Sequence, residues 1–84
     1  MKIWDLNGTD WYMANNAKEA REDYIKFVGP HAEIYDEGPI ECTDEELDGL
    51  LFIDEDYNQR SFREELAQRV KVGIKSQFFA STEF

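Results

Sequence analysis

Lys2-Ile3-Trp4-Asp5-Leu6-Asn7-Gly8-Thr9-Asp10-Trp11-Tyr12-Met13-Ala14 is the stretch that decides the fold. Residues 2–6 carry branched and aromatic side chains without a breaker and read as a strand. Trp11 to Ala14 reads as the returning strand. Between them stands Asn7-Gly8, the pair preferred in a tight type I′ turn because both central positions need positive φ. Thr9 and Asp10 are also turn formers, so a longer loop is open at this point. Either way the two strands run antiparallel, and the rest of the chain must pack around that hairpin.

Downstream, Asn16 is a good N-cap for a helix running to about Val28. Ala17, Ala20, Tyr24 and Phe27 recur at helical spacing and predict one apolar stripe. Gly29-Pro30 stops the helix. Residues 32–35 (Ala-Glu-Ile-Tyr) alternate and predict a third strand. Gly38-Pro39 breaks it, with a brief pairing of Ile40-Glu41-Cys42 beyond. Thr43 to Glu46 is a capping box opening a short helix that ends at Gly49 or runs on to Leu51. Asp54 to Gln59 reads as an acidic loop. Ser61 to Glu64 is a second capping box, for a helix to about Lys71 with a stripe of Phe62, Leu66, Ala67 and Val70. Gly73 ends that helix, and Lys75 to Ser81 reads as a last strand. The expected fold is α+β: a single domain, residues 1–84, with a small antiparallel sheet of three to four strands and two to three helices packed on one face.

The chain has 84 residues, 42% of them hydrophobic, with six Phe, four Tyr and two Trp. A chain of this size buries roughly 60–65% of its unfolded surface, so the core is thin. The aromatic content argues against disorder despite a net charge of −10. The lone Cys42 forms no internal disulfide, and no apolar run reaches membrane-spanning length. These features set the expectation of a cytoplasmic protein, in the host cytoplasm if it is phage-encoded.

Charge is the most unusual feature. From Glu33 to Asp56 there are eleven acids and no Lys or Arg. They are Glu33, Asp36, Glu37, Glu41, Asp44, Glu45, Glu46, Asp48, Asp54, Glu55 and Asp56. Nucleic-acid-binding domains carry the opposite sign, so direct DNA or RNA binding is not expected, and an anionic membrane would repel the chain. The bland reading of the block is a solvated face. The functional reading is an anionic surface for a basic protein groove, where carboxylates take the places of phosphates. A third reading is calcium: Asp54, Asp56, Asn58 and Glu65 have EF-hand spacing, but Gln59 stands where that loop needs Gly.

Catalytic constellations are thin. His31, the single histidine, sits in a turn and reads as an ordinary exposed residue. Cys42 precedes a helix start, which lowers a thiol pKa, but the acids around it act the other way, and it reads as a core residue. No phosphate-binding glycine loop, Cys-x-x-Cys pair or cofactor motif is present, so no cofactor and no enzymatic activity are expected. Trp4, Trp11 and Tyr12 read as core before recognition surface. Phe78, Phe79 and Phe84 suggest a homodimer contact.

Short length, the base-free block Glu33–Asp56 and the missing catalytic set resemble in character the small acidic anti-CRISPR proteins of phages and mobile elements. That resemblance implies an inhibitor that binds a CRISPR effector complex or another nucleic-acid-binding protein, in some cases as a DNA mimic. A structural or assembly subunit of a phage is the other reading, beside the calcium module.

Overall fold

The structure, a computed structural model, describes residues 1–81. Strands β1 (Lys2–Asp5) and β2 (Asp10–Ala14) form the expected hairpin. Its loop holds three residues between the bonded pair Leu6 and Asp10, not the two of a type I′ turn. Asn7 builds this loop: its Oδ1 accepts from the Thr9 and Asp10 amides at 3.0 and 2.9 Å. Gly8 has φ +91°, a conformation that favours glycine, and a Cβ there would crowd the Tyr35 hydroxyl at 3.1 Å.

Helix α1 (Ala17–Val28) begins where Asn16 caps the Glu19 amide and ends at Gly29. Its stripe buries Ala20 and Tyr24. Phe27 is largely exposed but stacks on Phe78, centroids 5.3 Å apart.

The third strand over residues 32–35 does not form. Asn7 Nδ2 takes the Glu33 carbonyl at 2.9 Å, and a turn joins the Gly38 amide to the Tyr35 carbonyl at 2.8 Å. Ala32 and Ile34 still bury part of their surface against the core on the α1 side. The strand that pairs with β1 is instead β3 (Ile40–Glu41), followed by a bond from the Cys42 amide to the Ile3 carbonyl.

Helix α2 (Asp44–Gly49) has both halves of its capping box. Next come β4 (Leu51–Ile53) and β5 (Gln59–Ser61), a small second hairpin where a plain acidic loop was expected. Its three-residue strands are too short to show an alternation. Helix α3 (Phe62–Lys71) starts on the Ser61 capping box, and β6 (Gln77–Ser81) completes the main sheet in the order β3-β1-β2-β6, every pairing antiparallel.

Alternation along β1 and β2 divides the core in two. Trp4, Leu6, Tyr12 and Ala14 face α1. Ile3, Trp11 and Met13 face Phe62 of α3 and Cys42, with Leu47 of α2 packed against them. Helices α2 and α3 thus share one face of the sheet and α1 covers the other, where helices on one face were expected, because both faces of the hairpin are apolar. Trp4, Trp11 and Tyr12 are core residues, as expected.

The buried stripe of α3 is rotated from its predicted place. Ala67 and Val70 are exposed, while Glu65, only 7% accessible, and much of Arg69 turn inward. Glu65 accepts from Arg60 at 2.7 Å and from Arg69 at 2.6 Å. Arg69 also donates to the Phe78 and Phe79 carbonyls at 3.3 and 3.2 Å, and lies over the Phe79 and Phe52 rings. The pairing of β2 with β6 shifts register beside Phe79, and this guanidinium satisfies carbonyls at that irregularity. Hydrophobicity alone ranked the stripe; the inward side instead carries an ion pair at i, i+4.

Candidate functional site

The acidic block spans a turn, β3, α2 and the β4–β5 turn, so it does not form a single row. Part of it gathers beside β3, an edge strand of the sheet. The Tyr35 hydroxyl donates to Asp5 Oδ2 at 3.3 Å. Desolvation raises its pKa first, and the charges of Asp5, Glu37 and Glu46 add to the rise. Burial pushes the Cys42 thiol up to about 12, with Glu46, Asp5 and Glu41 contributing. Asp5 and Glu46 thus add to both rises, Glu37 to that of Tyr35 and Glu41 to that of Cys42. Burial and these carboxylates disfavour a thiolate at Cys42 and outweigh the nearby helix start.

Other members of the block are engaged in holding the fold. Arg63 of α3 reaches Asp48 at 2.6 Å and Asp44 at 3.1 Å, tying α3 to α2. Glu41 pairs with Lys2 at 3.1 Å. Glu46 accepts from the Thr43 amide at 3.0 Å. Asp54 accepts from the Asp56 and Asn58 amides at 2.9 and 3.0 Å and from Arg60 at 2.8 Å. Some desolvation works to raise the Asp54 pKa, but the two amides and Arg60 prevail and hold it below the ordinary carboxylate value. Glu33, Asp36, Glu37, Glu45, Glu55 and Asp56 are exposed, with no ion-pair partner among the described residues. Within the block these six are exposed charges without an ion pair.

The EF-hand spacing has a different structural content. Arg60 bridges Asp54 and Glu65, the first and last residues of that pattern. Among the described residues no group of three or more His, Cys, Asp or Glu is arranged to hold a metal ion. His31 is exposed in its turn.

Two features were not read from the sequence. Tyr57, at the tip of the β4–β5 turn, is 86% exposed and has φ +63°, the one positive φ outside glycine among the described residues. An aromatic residue inside an acidic loop was the available signal. The second feature is a groove of about 210 Å³ between β4 and the end of β6, walled by Trp11, Phe62, Ala80 and Ser81. The Trp11 indole N–H is buried without an acceptor among the described residues. Phe79 lies in the core and is not available to a second copy, Phe78 is half-buried under Phe27, and Phe84 lies outside the described residues.

No protein-family model, no curated protein and no solved structure matches this chain. No helix among the described residues is long and apolar enough to cross a membrane.

Proposed function

We propose that this chain is a non-enzymatic binding protein, an inhibitor of the anti-CRISPR or DNA-mimic type, whose acidic surface engages a basic, nucleic-acid-binding protein or complex. The observation that carries the reading is the set Glu33, Asp36, Glu37, Glu45, Glu55 and Asp56: exposed, and without counter-ions among the described residues. A solvated face that served solubility alone would mix signs. Uncompensated like charge repels itself, and it is relieved when a basic surface covers it. Tyr57 supports the same reading. A bulky residue in the left-handed region is strained, such strain clusters at working sites, and exposed Tyr is a frequent interface anchor.

The calcium and catalytic readings have no comparable support. Asp54 and Glu65, the ends of the calcium pattern, are tied to Arg60, Cys42 is buried, and His31 is isolated in a turn. The test is competition. Immobilised protein is exposed to a cell lysate at about 0.05 M salt, and the retained proteins are challenged with double-stranded DNA, then with about 0.5 M salt, where screening is nearly complete over contact distances. Retained basic proteins released by both are expected. Retention indifferent to both would remove the acidic docking surface.

A further inference from the structure

We infer that the outer edge of β4 is a strand-addition site for an extended segment of the basic partner, one that alternates apolar and basic residues. The inference rests on the docking reading above and names how the partner is held. Bonds from Phe62 N to Leu50 O at 3.0 Å and from Asp54 N to Asn58 O at 3.1 Å fix the hydrogen-bonding phase of the β4–β5 hairpin. In an antiparallel pair that phase alternates, so Phe52 and Arg60 exchange bonds, while Leu51 and Ile53 turn their N–H and C=O groups away from β5. Among the described residues strand β4 has no second partner strand. Its outer edge is therefore an unpaired row of donors and acceptors.

Side chains agree with the backbone. Leu51 and Ile53 are 58% and 45% exposed, an apolar pair two residues apart on the same short strand. The groove runs beside them, with Trp11 in its wall. On the other side of the groove stand Ala80 and Ser81 of β6, a strand already paired with β2. Charge selects the occupant. The strand leads directly into Asp54, Glu55 and Asp56, of which the last two have no counter-ion among the described residues. A segment with Lys or Arg beside its apolar residues complements that turn, whereas a second copy would bring together two molecules of net charge −10.

The probe is an end-blocked octapeptide alternating lysine and valine, set against the glutamate–valine peptide and against a lysine–valine peptide methylated at alternate backbone nitrogens. Exchange of the Leu51 and Ile53 amide hydrogens is followed during titration. The lysine–valine peptide is expected to slow both amides about tenfold or more at saturation, as a new ladder bond does. Backbone methylation abolishes the effect. In the protein, Leu51→Pro removes an outward N–H and no ladder bond, so the fold persists while affinity falls about tenfold, the worth of one hydrogen bond.

Salt-sensitive peptide binding that leaves both amides exchanging as before, or that survives methylation, overturns strand addition and leaves acidic docking standing. Equal protection by the glutamate–valine peptide overturns the basic occupant. Protection without peptide, rising with protein concentration together with sedimenting mass, assigns the edge to a second copy. Protection that appears only once residues 82–84 are removed assigns the groove to the chain's own end. Either result overturns the inference.

Discussion

Replacing Glu65 with Ala would leave the guanidiniums of Arg60 and Arg69 facing one another, the second of them largely out of water. Breaking a buried pair from one side costs about 3–5 kcal/mol. Glu65→Ala is expected to lose stability of that order in a urea titration, and Glu65→Gln, which keeps an acceptor, to lose less. Equal stability of Glu65→Ala and the parent would contradict the buried network. Cys42 and Tyr24 give a second prediction at the same scale. Their folded-state pKa values are both raised to about 12, from 9.0 and 10.0, by burial first; a bond to Asp10 adds to the rise at Tyr24. Both groups ionise in the unfolded chain at their ordinary values. Their protonated forms thus contribute stability that is complete below pH about 9 and is lost as pH climbs toward 12. The melting temperature should fall across that window, and a thiol reagent at pH 8 should label Cys42 only as fast as the whole molecule opens. Rapid labelling of the native protein would contradict the burial.

At the scale of elements, Ser61 holds two positions at once, as the last residue of β5 and the N-cap of α3. Ser61→Ala is expected to cost about 1 kcal/mol, seen as a lower urea midpoint with an unchanged slope. The β4–β5 turn is acid-sensitive. Asp54 has a depressed pKa, so its contribution is present above the ordinary value of 3.8 and disappears as pH falls through the lower folded value. Asp54→Asn keeps an acceptor for the turn amides and should flatten that part of the acid limb. What sequence reading recovered follows the strength of local chemistry. Asn16, Thr43 and Ser61 announced their helices because a cap is a local bond. Residues 32–35 misled because alternation shows which side chains are buried, not where carbonyls go, and Asn7 had claimed one of them. The rotated stripe of α3 was hidden for a related reason: Glu65 and Arg69 are polar in composition and interior only as a pair.

Across the whole molecule, nineteen acids face nine bases. The base-free block was visible at once, because charge is additive along a chain. Its division was not. Arg63 reaches Asp44 and Asp48 from α3, so the charge of those two acids is partly compensated, through exposed pairs that contribute little to stability. The uncompensated six are a different case. Screening their repulsion should stabilise the fold, so the melting temperature is expected to rise as salt goes from about 0.05 to 0.5 M. Reversing some of them should do the same without salt. If the acidic set docks a partner as proposed, its stability cost and its binding should separate in one variant.

That variant carries Asp36→Lys, Glu37→Lys, Glu45→Lys and Glu55→Lys, and the measurement is its capture of partner from lysate at low salt beside its melting temperature. The account predicts a melting temperature equal to or above the parent's together with loss of the DNA-displaceable partner. Undiminished capture by a folded variant would contradict it.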